Sequence, residues 1–378
     1  MIKKQNAGPK VSVIIPFYNV EKYIGRCLQS VVGQSFDDIE IICVDDCSPD
    51  DSLRIVQKYA SFDKRIKIVS NSRNLRRGKA REAGFFAANG EYVTFVDSDD
   101  TISFDYVERL YNKAKETDAE VVKGKWIIKH KDGKTSTTLD NQIMQHLFKN
   151  NKSLILANFC DLTTLFVSRK FMLQHKIMPD NINGDDCCAI RIFYYAKKCA
   201  IVDEAIYYYY YQQENSYSGS INEESFKIKY DYIGNQIKLL NSFENVDKDT
   251  YIAFVQRHLY YVYNRSVVSV VRNYKNEEWK NKITFEFIRI VNNEIHLSNE
   301  DKEKYIFALL NKNIAKAIKT NDTKFLIKLA LKKSQLNSAN KFVRLIANII
   351  SLFVPFKEHR RKLRHKILDY FVTPIVEI

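Results

Sequence analysis

Residues 92–100 read Tyr-Val-Thr-Phe-Val-Asp-Ser-Asp-Asp, and they constrain the fold more than any other stretch of the chain. The first five are apolar, aromatic or β-branched, as in a buried strand, and Asn89-Gly90 just before them stops a helix. Carboxylates follow at once. If the chain stays extended, the period of two puts Asp97 and Asp99 on one face and Ser98 on the other. Like charges that close ask for a cation, and an oxygen-only pair suits a hard divalent ion such as Mg²⁺ or Mn²⁺. Read alone, the same tetrad is equally a solvated turn that opens the next helix.

The segments before it change that balance. Residues 11–15 form a strand stopped by Pro16, and Asn19 is placed to cap a helix bearing Ile24, Cys27, Leu28, Val31 and Val32 at helical spacing. Residues 39–44 are a second strand ending in Asp45-Asp46, after which Ser48-Pro49-Asp50-Asp51 reads as a helix start. A third strand over 65–70 precedes a helix over 79–89, where Ala80, Ala83, Gly84, Ala87 and Ala88 allow close backbone approach. After the acidic stretch, Ser103 is placed to cap a helix bearing Val107, Leu110 and Ala114. Strands alternating with helices over the first 115 residues predict a parallel sheet with right-handed crossovers. Asp46 and Asp97 then share one edge, where open α/β sheets bind ligands.

From 118 to 219 the pattern is mixed, with short strands at 120–123, 162–167 and 200–211, and Asn183-Gly184-Asp185-Asp186 opening a helix. The tyrosines at 207–211 read as packed strand residues, or as a platform on which an acceptor stacks. Beyond Ser220 the chain becomes helical and rich in lysine, with His258 on an apolar face. Phe342, Leu345, Ile346, Ile349 and Phe353 make a wide apolar stripe, and residues 357–366 carry six fixed positive charges. That end reads either as a helix packed on the body or as an interfacial pair that meets an anionic membrane surface through 341–371.

Composition bounds the class. A chain of 378 residues, 45% hydrophobic, can bury a large core in two or three structural units. Seven cysteines without a CxxC pair look like reduced thiols, and a zinc site from Cys43, Cys47 and Cys187-Cys188 lacks a histidine partner. Met1 to Lys10 lack the apolar run of a signal peptide, and no stretch of eighteen apolar residues occurs. The expected location is therefore cytoplasmic, or peripheral on the inner face of the cytoplasmic membrane. A net charge of +14 asks for an acidic partner.

Four ordered motifs carry a resemblance: residues 11–19 (Val-Ser-Val-Ile-Ile-Pro-Phe-Tyr-Asn), 44–48 (Val-Asp-Asp-Cys-Ser), Asn74 through Ala80-Arg81, and 90–100 from Gly90 to Asp100. Together they resemble family 2 glycosyltransferases of the GT-A fold, of the bacterial surface-polysaccharide type. The match is close over about the first 110 residues and looser to about 220.

The resemblance implies an α/β GT-A fold, Rossmann-like, with a mostly parallel sheet, helices on both faces and a helical C-terminal region. It implies a nucleotide-sugar-binding half over 1–117, an acceptor-binding half over 118–220 and a helical region over 221–378. Pro16 and Tyr18 would line the base pocket, and Asp46 would accept a hydrogen bond from a uracil ring nitrogen. Arg81 would face the donor, and Asp97 and Ser98 would bind it. Asp99 would hold Mn²⁺ or Mg²⁺, and Asp186 would be the general base. The implied partners are a UDP-sugar and a saccharide or lipid-linked acceptor.

Departures from the family pattern are specific. Cys47 stands where a glycine is usual, Asp185 replaces a longer acid, and Gln212-Gln213 stand where an arginine is common. The Gln-x-x-Arg-Trp motif of processive members is absent. A sugar-nucleotide-forming nucleotidyltransferase would carry a glycine-rich phosphate loop after the first strand, where this chain has Pro16-Phe17-Tyr18-Asn19. A non-enzymatic basic protein that binds membrane or nucleic acid would interleave basic and aromatic residues on one face. Acids mark the sheet edge instead, and no nucleic-acid partner is expected.

Overall fold

A computed structural model of the chain describes residues 8–137, 162–179, 184–211, 223–307 and 312–330. The chain divides into two compact units, residues 1–219 and 220–378. In the first unit β1 (Val11–Phe17), β2 (Ile39–Asp45) and β4 (Tyr92–Phe95) are buried at every position. Their near-continuous apolar runs are what a sheet covered on both faces requires. Between and after them lie α1 (Ile24–Val32), α2 (Ser52–Phe62), β3 (Ile66–Ser70), α3 (Arg76–Ala87), β5 (Thr101–Ile102) and α4 (Tyr106–Thr117). The remaining elements are β6 (Val121–Lys129), β7 (Thr135–Thr137), β8 (Leu165–Ser168), α5 (Arg169–Gln174), α6 (Gly184–Tyr195) and β9 (Cys199–Tyr210).

The strands join in the order β3-β2-β1-β4-β8-β6-β9-β5, with β7 beside β6. The β1/β2, β2/β3 and β1/β4 pairs are parallel, which the βαβ pattern predicts. Beyond β4 the sheet is mixed. β8 runs antiparallel to both β4 and β6, and β5 antiparallel to β9, while β6 and β9 are parallel. The mostly parallel sheet is thus a property of the first half.

Small residues do bring α3 close. A Cβ on Gly84 would stand 2.4 Å from Ile14 Cγ2 and 3.0 Å from Val44 Cγ2. At the amino edge of the sheet, buried Glu40 accepts from Ser12 Oγ, the Asn89 N–H and Lys67 Nζ, each at 2.6 Å. Burial pushes the Glu40 carboxyl up, yet these three partners hold it below its ordinary value.

Four expected helix starts differ from those observed. Asn19 caps nothing: it sits at φ +54, its neighbour Val20 gives its N–H to Ser52 Oγ, and α1 begins only at Ile24. α2 begins at Ser52, beyond the Ser48 expected to cap it; Asp51 is the N-cap residue, without a side-chain cap bond, and Asp50 Oδ1 accepts the Ser52 N–H. Ser103 Oγ accepts the Ile206 N–H of β9 instead of capping α4. α3 starts three residues early, at Arg76, whose N–H is accepted by Asn74 Oδ1.

The second unit is helical, from Glu223–Asn241 through Lys248–Val262 and Glu277–Arg289 to Lys312–Lys319. His258 is a core residue there, 4% exposed, with Nδ1 2.8 Å from Gln236 Oε1. No helix among the described residues is long and apolar enough to cross a membrane. The stripe at 342–353 and the basic run at 357–366 lie outside the described residues.

Candidate active site

The order β2-β1-β4 brings three carboxyl ends side by side, and backbone bonds lace their tips. The Asp46 N–H reaches the Phe17 carbonyl at 3.0 Å and the Val96 N–H reaches the Ile14 carbonyl at 3.0 Å. Asp46 is buried, and its Oδ1 accepts Asn71 Nδ2 at 2.8 Å and the Leu75 N–H at 2.9 Å. That carboxylate thereby fixes the entrance of α3. From α3, Arg81 reaches Asp97 Oδ1 at 2.5 Å and Arg77 reaches Asp97 Oδ2 at 3.4 Å. The acidic tips of β2 and β4 are therefore joined through one helix.

Asp97 and Asp99 do not continue the strand. β4 ends at Phe95, and the Asp100 N–H bonds the Asp97 carbonyl at 3.0 Å, closing a turn that overturns the extended expectation. Burial and then the Asp97 charge push the Asp99 carboxyl up to about 6. Asp100, 1% exposed, is pushed well above the usual range by burial and by both neighbouring carboxylates. Three residues outside the acidic stretch hold the turn. Tyr207 and Tyr210 of β9 both bond Asp100, and Arg26 of α1 donates to the Asp99 carbonyl. Cys27 Sγ lies 3.5 Å from the Asp97 carbonyl.

The predicted residues fall as follows. Pro16 is buried in β1 opposite Val44, and Tyr18 is exposed in the loop after it. Ser98 is buried in the turn. Arg81 has no exposed side-chain surface, and its Nη2 donates to Asp97 Oδ1. Asp186 belongs by its backbone to α6, and its side chain lies outside the described residues. Arg26, Arg77 and Asp100 were not singled out from sequence. Only Asp100 carried a signal, as the last acid of the tetrad.

Backbone strain gathers on this edge. Asn19 after β1, Cys47 after β2 and Arg76 opening α3 take φ of +54, +64 and +72. Positive φ outside helix ends concentrates at functional sites. Cys47 thus adopts the left-handed conformation a glycine would favour. Of the tyrosine run, Tyr207 is fully buried, while Tyr209 packs on Trp126 with ring centroids 5.1 Å apart. Burial and the Asp97–Asp100 carboxylates push the Tyr209 hydroxyl up to about 12. Among the described residues no three His, Cys, Asp or Glu side chains gather as metal ligands.

This sheet, with an acidic turn laced to a second acidic tip at its carboxyl edge, defines the nucleotide-binding α/β class of the GT-A fold. Its solved neighbours share that architecture. S. aureus TarS 1–349 in complex with UDP-GlcNAc matches with a TM-score of 0.66 over 86% of this chain and 92% of that one, at 20% identity. The Pyrobaculum calidifontis mannosyltransferase PcManGT with GDP-Man and Mn²⁺ matches with a TM-score of 0.50 at 13% identity, over 86% and 87% of the two chains. Through residues 12–198, which match its family model, the chain belongs to glycosyl transferase family 2. The glycosyltransferase GlyA of Streptococcus pneumoniae serotype 4 is 43% identical over 117 residues, 31% of this chain and 17% of GlyA. The poly(ribitol-phosphate) beta-glucosyltransferase of Bacillus spizizenii is 40% identical over 119 residues, 31% of this chain and 19% of its own length. The chain spans less than half the length of these curated relatives.

Proposed function

We propose that the protein transfers a sugar from a nucleoside-diphosphate donor, a UDP-sugar, to a saccharide or lipid-linked saccharide in bacterial surface-polysaccharide synthesis. The observation that carries the reading is the lacing of Asp46, α3 and the Asp97–Asp100 turn into one acidic edge. The surface-polymer setting is supported by the poly(ribitol-phosphate) glucosyltransferase relative, and the uridine donor by the UDP-GlcNAc held in the TarS neighbour.

Pro16 and Tyr18 would flank the base, with Asp46 accepting from its ring nitrogen. Asp97, held by Arg81 and Arg77, would meet the ribose, with Ser98 beside it. Arg81 then serves as the anchor of Asp97. The residues also fit a divalent ion: Asp99 is a carboxylate mostly withdrawn from water beside two others, and positive charge would relieve that repulsion. Asp99 would hold Mn²⁺ or Mg²⁺, which when bound would neutralise charge growing on the departing diphosphate.

The chemistry is one in-line displacement with inversion at the anomeric carbon. Asp186 would take the acceptor hydroxyl's proton, a contribution of about 10²–10⁴-fold. The edge formed by β1, β2 and α3 would hold the donor aligned for that attack.

A thermal-shift panel of UDP-, GDP- and dTDP-sugars with Mn²⁺ tests the reading. A UDP-sugar should raise Tm most, and only with the cation present. Equal, negligible shifts across the panel would refute it.

A further inference from the structure

The turn that presents Asp99 is held from elements far away in sequence. Tyr207 Oη accepts the Asp97 N–H at 3.0 Å and donates to Asp100 Oδ2 at 2.9 Å, across 110 and 107 residues. The Tyr210 N–H takes the other oxygen, Asp100 Oδ1, at 2.9 Å. Both oxygens of Asp100 are thus engaged by β9, which makes this carboxylate a strut of the turn. From the other side Arg26 Nη2 donates to the Asp99 carbonyl at 2.5 Å across 73 residues. Its guanidinium carbon lies 3.6 Å from the centroid of the Tyr210 ring, so Arg26 and β9 brace each other.

Asp97, Asp99 and Asp100 crowd three carboxyl groups into one turn, and the charge of Asp97 raises both Asp99 and Asp100. Mg²⁺ and Mn²⁺ sites tolerate little misplacement of a ligand, so a turn free to open would bind such an ion weakly. We propose that Tyr207 and Arg26 are positioning residues for the cation site, holding the turn so that the Asp99 carboxylate is set for a divalent ion before it arrives. This rests on the reading of the edge as a cation and diphosphate pocket. It adds that the affinity for the ion is set by α1 and β9, neither of which supplies a ligand.

Electrostatics and positioning predict opposite signs for Arg26. Removing a positive charge beside a cation site should by itself tighten Mn²⁺ binding. Removing a brace should weaken it.

The test is Mn²⁺ binding by the full chain, read as free Mn²⁺ by electron paramagnetic resonance, together with uridine binding measured without metal. Tyr207→Phe keeps the buried ring and deletes the hydroxyl. It should raise the Mn²⁺ Kd by about tenfold, the lower end of the effect of groups that orient metal ligands. Arg26→Gln should also raise it, against the electrostatic sign. Uridine affinity should stay within about twofold in both, and transfer by Tyr207→Phe should recover when Mn²⁺ is raised, KM for the ion rising with kcat held.

An unchanged Mn²⁺ Kd in folded Tyr207→Phe, or a tighter one in Arg26→Gln, overturns the proposal. So does a parallel loss of uridine binding, which would mark a general structural role. Failure of the wild-type chain to bind Mn²⁺ with UDP is a separate result that removes the pocket reading itself.

Discussion

The Arg81 guanidinium, with no exposed side-chain surface, donates to Asp97 Oδ1 at 2.5 Å. The pair ties the middle of α3 to the acidic turn after β4, and half-exposed Arg77 reaches the same carboxylate from one turn earlier. The face of Phe95 lies 5.9 Å from the Arg81 guanidinium carbon.

Breaking this pair should cost more than removing it. Arg81→Met leaves Asp97 short of its buried partner, and we expect a loss of about 3 kcal/mol in urea unfolding. Asp97→Asn in that background should recover part of it, since the amide no longer needs the charge. Additive losses in the double variant would mean the two side chains are not coupled.

Cation stabilisation should depend on pH. Asp99 is raised to about 6 by burial and then by Asp97, so the folded chain keeps a proton there that the unfolded chain has released. Its contribution to apo stability is present below about pH 4 and is lost as pH rises through about 6. Mn²⁺ competes with that proton. The rise in Tm on adding Mn²⁺ should therefore be small at pH 5 and approach its full size above pH 7. Thermal scans across that range check it, and a shift independent of pH would count against Asp99 as the ligand.

Two glycines should respond with opposite signs. A Cβ on Gly25 in α1 meets nothing within 4 Å, so Gly25→Ala should stabilise by about 0.5–1 kcal/mol through helix propensity. A Cβ on Gly90 would stand 2.5 Å from Ser12 N and 2.8 Å from Val11 C, main-chain atoms that cannot swing aside. Gly90→Ala should cost about 1–3 kcal/mol. Urea midpoints measure both.

The two acids proposed for separate jobs should separate experimentally. Asp99→Asn should abolish the Mn²⁺-dependent Tm shift with UDP and the transfer that depends on it. Asp186→Asn should keep that shift while turnover falls by about 10²–10⁴-fold. A single-turnover assay with a UDP-sugar, run beside the thermal shifts, distinguishes them; unchanged turnover in Asp186→Asn would remove it from the mechanism.

Much of the acidic edge was legible because it follows from local pattern. The apolar runs at 11–17, 39–45 and 92–95 had to be buried strands, and the helical stripes between them forced parallel pairing. Handed crossovers then placed Asp46 and Asp97 on one edge. Of the two forms open to Asp97 to Asp100, extended strand or turn, the structure has the turn, closed by the Asp100 N–H on the Asp97 carbonyl and braced by Tyr207, Tyr210 and Arg26 from distant elements. Asn19 and Ser103 illustrate the same limit: each had a plausible local capping role, yet Ser103 was taken by Ile206 and the loop at Asn19 was set by Ser52.

By itself the amino-acid order determined the strands, the helices and the edge of the sheet that carries the acids, since period, burial and chirality act within a few residues. Which acid is withdrawn from water, which is tied to arginine and which braces the turn was decided only by tertiary structure. Those distinctions depend on Arg26, Arg81 and Tyr207, brought to within hydrogen-bond reach across 73, 16 and 110 residues. Hydrogen bonds and charges are sensitive to fractions of an ångström, and no spacing along the chain encodes separations that packing alone creates.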